Sequence, residues 1–436
     1  MSSAINIKDF NPNDKMTAVP VIAARLITGG LFIFSGFVKA VDLWGFIFKI
    51  EEYFALVDFT APRSVSLSLA LVLAGFEFVS GVLLVSGAYR RAVVILMLML
   101  MAAFDCLTFY LWIADPIPDC GCFGDAWVLS NGATFFKNVI LTGLLIFLLI
   151  KNTKIGFELF KPAVQWIPTV LSVFYIVVIG LICYNVQPQI DFRPYPVGRS
   201  LTVTHNDDNE IENVMYIYTD GKSQKTFPAD SLPGEGWEFV DIADSEASEA
   251  STGHKTDIFS VYDGDEDVSD DIFDDAPRRF LLVIPELKRA DISFSFFVNN
   301  LYRLCKKNDI QFCALVATSD EGLERWRDLS LAEYDCFTAE DTSLKELARG
   351  NMSLVYLEDG IIKWKSTVSS VYDTDIEKLE NADGADFALE MAPHPLTIKT
   401  MTQWYIGLLA IVAAIQWAIL LLVRHRKEGN DKMDEV

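Results

Sequence analysis

The apolar residues of this chain follow two patterns. In the first they form six long, nearly unbroken runs, over residues 18–41, 66–87, 92–113, 135–150, 164–186 and 402–423. A helix of about 20 apolar residues reaches across the hydrocarbon core of a bilayer. Each run is therefore predicted to be a spanning helix, the fourth being the shortest. In the second pattern, between the fifth and sixth runs, apolar stretches are short and broken by polar turns. "NVMYIYTDGKSQKTFPA" and "GWEFVDIA" alternate as half-buried strands do, and "TDGK" is a hairpin signal, which predicts a small β-rich module.

From residue 257 onward strand and helix patterns alternate. "DIFSVYDGDEDVSDDIF" reads as a short hairpin, "RRFLLVIPEL" as a buried strand, "SFSFFVNNLYRLCKKND" as an amphipathic helix and "IQFCALVAT" as a second strand. "DEGLERWRDL" (helix), "AEYDCFTAE" (short strand) and "SLKELARG" (helix) follow, and "MSLVYLEDGIIKWK" closes as a hairpin turning at Asp359-Gly360. The expected division is a four-helix membrane domain at 1–151, a fifth spanning helix at 152–186, the β-rich module at 187–250, an α/β domain at 251–398, and a last spanning helix with its tail at 399–436.

Charge adds a second boundary. The 436 residues carry a net charge of −23, and residues 191–399 hold 43 of the 59 acids and 20 of the 36 bases, which leaves 16 of each elsewhere. An acidic soluble segment is thus set into a charge-balanced membrane part. Without a basic surface to meet phosphate, nucleic-acid binding is excluded. The first apolar run is long and lacks a small-residue cleavage site, so it is read as spanning and not as a cleaved signal.

Basic residues in short loops set the orientation. Arg90 and Arg91 follow the second run, Lys151, Lys154 and Lys161 the fourth, and "RHRK" at 424–427 the sixth. These loops share one side, expected to be cytoplasmic, with both termini. The protein is then a multi-pass protein of the cell's inner membrane, in contact with lipid, with its soluble segment outside. Lys49 and Arg63 run against the pattern, because they fall on the outer side.

The loop after the third run, "ADPIPDCGCFGDAWVLSNGAT", holds three aspartates and no base, and so is expected outside, where disulfides persist. Within it, "PIPDCGCFGD" places Cys120 and Cys122 one glycine apart. A bridge between them closes a very small ring, for which Gly121 gives the backbone freedom. Strained disulfides exchange readily. The alternatives are a structural bridge or two inert thiols. Zinc needs more ligands than two cysteines, and no histidine precedes His205, so no metal site and no covalently bound cofactor is expected. Asp119 and Asp125 flank the pair, and like-charge repulsion is expected to disfavour thiolate there. The dense acids of "YDGDEDVSDD" do not follow calcium-loop spacing and read as a solvated turn.

Several ionisable or thiol side chains fall inside the runs: Arg25 and Lys39 in the first, Glu77 in the second, Asp105 and Cys106 in the third, Lys137 in the fourth. Charges in a bilayer face partners or cavities. By depth, Arg25 is matched with Glu77, and Asp105 with Lys39 or Lys137. They act either as packing ion pairs or as a polar pocket under the Cys-Gly-Cys loop, suited to a quinone or to protons. Cys106 reads as a small core residue.

"ARLITGGLFIFSGFVKAVD", "FEFVSGVLLVSG", "DCGCFGD" and "TFFKNVILTGLLIF" resemble the DoxX and MauE membrane families over residues 19–151. The resemblance implies a four-helix core. MauE-like proteins are associated with making disulfides in an extracytoplasmic partner, and DoxX-like proteins with quinone-coupled sulfur oxidation. By this match Cys120 and Cys122 are the redox pair. Residues 257–366 are similar in element order to a thioredoxin-like or peroxiredoxin-like domain, yet "IPELKRADIS" stands where that family has Cys-x-x-Cys, and Met352 where it has a cis-proline. Cys305, Cys313 and Cys336 read as buried core thiols, with a Cys305–Cys313 bridge as an alternative. The expected fold class is membrane α-helical: a DoxX/MauE-like core with two further spanning helices and an extracytoplasmic α/β thioredoxin-like domain. Two functions stand: a thiol-disulfide oxidoreductase acting on an extracytoplasmic protein partner and linked to a quinone, or a non-enzymatic scaffold or assembly subunit. A transporter is weaker, since no inverted repeat is evident.

Overall fold

The structure, a computed structural model, describes residues 12–151, 158–201, 215–219, 224–228, 238–243, 259–273, 277–372, 386–393 and 398–433. Among the described residues six helices are long and apolar enough to cross a membrane. They are α1 (Pro12–Val41), α3 (Arg63–Ser86), α4 (Arg90–Ala114), α5 (Asn131–Lys151), α6 (Trp166–Asn185) and a C-terminal helix (Ile398–Met433). A further helix, α2 (Leu43–Ala55), follows α1. At 13 residues it is about 20 Å long, too short to span. Asp42 caps it by accepting the Gly45 amide at 3.0 Å, and Leu43, Ile47 and Ile50 form its buried stripe against Ala70 of α3.

The tightest helix contact is between α1 and α3. A Cβ on Gly36 would press on the backbone of Ala74 and Phe78, and one on Gly81 would come 2.7 Å from the Gly29 carbonyl and from the Ile33 amide. Small residues let the backbones meet this closely, which is how apolar helices find a fixed register in lipid. On one side of this pair, α4 and α5 complete a core with Phe32, Leu84, Met97, Met101 and Leu145. On the other, α6 and the C-terminal helix pack through stacked Tyr175 and Tyr405, 4.2 Å apart. The remaining sides of the helices are apolar and exposed, among them Val72, Ile113, Phe174 and Trp417.

Among the described strands, β1 (Met215–Thr219), β2 (Gln224–Pro228) and β3 (Glu238–Ala243) form an antiparallel sheet in the order β2-β1-β3. A second, seven-stranded sheet has the order β10-β9-β6-β7-β8-β4-β5. Its centre is β6 (Arg278–Ile284), β7 (Gln311–Val316) and β8 (Asp335–Ala339), mutually parallel, with antiparallel β9 (Ser353–Glu358) and β10 (Ile361–Thr367) on one edge. The short hairpin β4 (Val261–Asp263) and β5 (Glu266–Asp267) lies on the other. Helices α7 (Ser295–Lys307), α8 (Asp320–Ser330) and α9 (Asp341–Leu347) make the crossovers. The β9–β10 turn has positive φ at both Asp359 and Gly360, the geometry of a two-residue hairpin.

Residues 187–201, grouped by sequence with the β-rich module, pack instead on the larger sheet. Ser200 bridges to Ile361, Leu201 joins the core beside Ile362, and Asp191 pairs with buried Lys365. Buried thiols fill this domain. Cys305 lies on one face of the sheet with Leu304 and Phe312, and Cys313 on the opposite face with Leu281 and Leu315, so the two do not bridge. Burial pushes Cys313 up to about 12 and Cys336 up to about 11.

The helix contact gives a direct test. Gly36→Leu is expected to lower stability in detergent by about 2 kcal/mol through overpacking, read as a drop in melting temperature. Gly30→Ala, where nothing lies within 4 Å, is expected to leave it unchanged.

Candidate functional site

The Cys-Gly-Cys loop crosses between α4 and α5 on the face of the helical core that carries the soluble domain. Asn131 ties its two ends, donating to Asp115 Oδ1 at 2.9 Å and to the Ile117 carbonyl at 2.8 Å. Gly121 has φ +65°, and a Cβ there would also strike the Lys49 side chain at 2.7 Å, so position 121 needs glycine on both counts. The Tyr53 hydroxyl donates to the Cys120 carbonyl at 2.7 Å, and Ser35 Oγ sits 2.8 Å from the Cys122 carbonyl. One cysteine is thus held from α2 and the other from α1.

The two Sγ atoms are 2.6 Å apart, and the hydrogen bond between them decides how the pair titrates. With Cys122 donating, Cys120 is lowered to about 6 from an ordinary 9.0, against its burial and with help from the Lys137 charge. The same bond and burial push Cys122 well up. The expected repulsion from the flanking aspartates is not what the loop feels, because both carboxylates have cations. Lys49 Nζ lies 2.9 Å from Asp119 Oδ1, and Arg349 of the soluble domain bonds Asp125.

Beneath the loop, Lys39 Nζ lies 2.7 Å from both Glu77 oxygens and 3.0 Å from Ser35 Oγ, with both partners buried. Ser35 Oγ is also 2.8 Å from Glu77 Oε2. This corrects the expected pairings. The α1–α3 contact sets Gly29 against Gly81 and Gly36 against Phe78, so Ser35 and Glu77 share a level. Arg25 then lies near the far end of α3, roughly ten residues or about 15 Å from Glu77. There it donates to the Leu84 and Val85 carbonyls at 3.0 and 3.1 Å. Among the described residues Asp105 pairs with neither Lys39 nor Lys137. It faces α5 and accepts from Thr142 at 2.7 Å, while Lys137 lies 4.2 Å over the Phe123 ring. Cys106, expected in the core, is exposed on the outer side of α4.

A cavity of about 30 Å³ is lined by this cluster and the loop together, by Ser35, Lys39, Glu77, Cys122, Phe123 and Lys137. It has room for water. Small-molecule sites are about ten times larger, so a quinone ring does not fit under the loop.

Two parts of the site do not stand out in the sequence. One is α2, whose Lys49 and Tyr53 cover the loop. Its Asp42 cap and 43/47/50 stripe were readable, but they merge with the first apolar run. The other is Arg349. Its guanidinium spans Asp125 and buried Asp42, at 2.6 Å from Asp42 Oδ2, and no local pattern marks it.

Residues 17–151 match the family model "Methylamine utilisation protein MauE". The matched segment is less than a third of the chain and runs from within α1 to the end of α5, hence across the whole Cys-Gly-Cys loop with Lys39, Glu77 and Lys137. With six apolar helices, the match makes the chain a multi-pass membrane protein. Neither the curated proteins nor the solved structures yield a match.

Two outcomes follow from the geometry. Alkylation of the reduced pair is expected to rise through pH 6 and level off above it, since rate follows thiolate fraction. Cys122→Ala removes the donor and should move that midpoint upward toward the ordinary thiol range. Lys39→Met strands Glu77 in an apolar core and is expected to cost about 3 kcal/mol or more, seen as a lower melting temperature. Lys39→Met combined with Glu77→Leu should recover much of that loss.

Proposed function

We propose that this protein is a membrane thiol-disulfide redox component that acts on an extracytoplasmic protein partner through Cys120 and Cys122. The observation that carries the reading is the pair itself: two sulfurs in contact, on a loop whose backbone is fixed from both α1 and α2. The oxidised pair takes two electrons and two protons from a partner dithiol, leaving a partner disulfide and the reduced pair. The depressed Cys120 thiol suits it to attack or leave near neutral pH. The MauE match, and the disulfide-making role that resemblance implies, support the same reading.

The orientation belongs to this proposal. Basic loops on the opposite face support an orientation with the cysteines and the soluble domain outside the inner membrane and both termini in the cytoplasm. Lys49 and Arg63, the two exceptions to the charge rule, are neutralised in ion pairs, Arg63 with Glu51 and Glu286 at 3.1 and 2.8 Å. The soluble domain, whose sheet order and missing Cys-x-x-Cys fit a thioredoxin-like fold without a redox centre, would seat the partner. A cleft of about 1070 Å³ there is lined by Glu286, Arg289, Trp326 and Lys345, and also by Glu51 of α2, the helix that covers the cysteines. Given the size of the cavity beneath the loop, no step is assigned to a quinone.

Trapping in cells separates this from a scaffold role, for which the inert thiols of the soluble domain speak. With Cys120→Ser or Cys122→Ser, a mixed disulfide to a partner is expected on non-reducing gels, and the wild-type thiol state should shift with growth conditions. A pair fixed in one state under every condition, with no phenotype on replacement, would favour the scaffold.

A further inference from the structure

The charged groups facing the cysteine pair come from every element around it. Lys39 and Glu77 lie beneath it, Lys137 comes from α5, Lys49, Glu52 and the Tyr53 hydroxyl from α2, and Asp119 and Asp125 from the loop itself. Lys39 and Glu77 compensate one another, and Lys49 lies between Asp119 and Glu52 at 2.9 and 2.8 Å. Asp125, three residues past Cys122, takes its cation from 224 residues away, from Arg349 of the soluble domain.

Arg349 is built into place. It is 5% exposed, and its guanidinium grips Asp42 through Nε and Nη2 at 3.0 and 2.6 Å. Its Nη1 donates to the Lys345 carbonyl at 2.9 Å. Its backbone amide donates to Gln187 Oε1 at 2.9 Å, and its carbonyl accepts from Ser353 Oγ at 2.6 Å. Gly45 leaves the space, since a Cβ there would come 2.6 Å from Arg349 Nη2. The buried side chain therefore joins the α1–α2 junction to the Cys-Gly-Cys loop, and the backbone of the same residue ties both to the exit of α6 and to the sheet.

We propose that Arg349 is a positioning residue for the redox pair, through which a domain without its own redox cysteines holds the Cys-Gly-Cys loop and, shared with Asp42, offsets part of the charge of Asp125. The proposal rests on the thiol-disulfide reading of that loop and gives the soluble domain a second task there, as the source of a counter-charge. With Arg349 gone, Asp125 and Asp42 face each other without a bonded cation, the charge of Arg193 being the one left to oppose them, and thiolate beside them is disfavoured. Burial already pushes the Asp125 carboxyl up, with Arg349 opposing it and Asp42 adding to it.

The test is a set of pH profiles of alkylation, on the full-length reduced protein in detergent with a small thiol reagent. Arg349→Gln is expected to move the midpoint up by about one unit and slow alkylation at pH 6 about fivefold. Asp125→Asn in the Arg349→Gln background is expected to restore the wild-type profile. A merely structural arginine would not be rescued this way. Asp125→Asn alone keeps the clamp on Asp42, and covers the case in which the arginine variant does not fold. It is expected to speed alkylation at pH 5 about threefold. Superimposable profiles for Arg349→Gln and wild type, or no rescue, or no shift for Asp125→Asn alone, would each overturn the proposal. Because a chemical reagent replaces the partner, the result is independent of whether a mixed disulfide is trapped in cells. A trapped partner with unmoved profiles sinks this inference and leaves the redox reading. Shifted profiles with no trapped partner sink the redox reading and leave Arg349 as a residue that tunes the thiols of this loop.

Discussion

The close approach of α1 and α3 at Gly29, Gly36 and Gly81 is the constraint on which the site depends. In lipid, apolar helices have no hydrophobic reason to prefer one register over another, so steric fit decides it. That fit puts Ser35 opposite Glu77 and brings the long Lys39 side chain back to the same carboxylate. Ser35 then stands under the Cys122 carbonyl. A buried ion pair is costly to desolvate and strongly destabilising to break, so its presence marks this level of the bundle as fixed. The cysteines sit on top of that fixed point.

Above it, charge is matched group by group. The loop carries two aspartates next to two cysteines, which in isolation would raise the thiol pKa. Each aspartate is instead drawn to a cation from a different element, Lys49 of α2 and Arg349 of the soluble domain. The cation-rich surroundings of Phe48, with Arg63, Lys345 and Arg349 all within 6 Å of its ring, show how α2 mediates between the two parts. The thiols then respond mainly to one another.

The spanning helices and most elements of the large sheet domain were legible because each has a simple period or a turn with fixed chemistry, such as Asp359-Gly360. The candidate cysteines were legible from spacing alone. Partners among the intramembrane charges were not. Depth estimated from helix ends is too coarse by several residues, and the α1–α3 register is set by glycines whose facing partners lie on another helix. Arg349 was illegible for a related reason. It contacts residues 307 and 224 positions away, and nothing in "KELARG" distinguishes an arginine at a domain junction from one on a solvated surface.

The soluble domain enters and leaves the membrane at neighbouring points. Gln189, just past α6, accepts from the amide of Ile398, where the C-terminal helix begins, and the two helices pack together below through Ser172, Tyr175, Thr402 and Tyr405. The domain is therefore a closed loop with its ends pinned. Lifting it off the Cys-Gly-Cys loop is an intramolecular event, governed by effective concentration and not by dilution. Weakening the ionic contacts would change how often the domain is seated, while the tether would keep it within reach of its site.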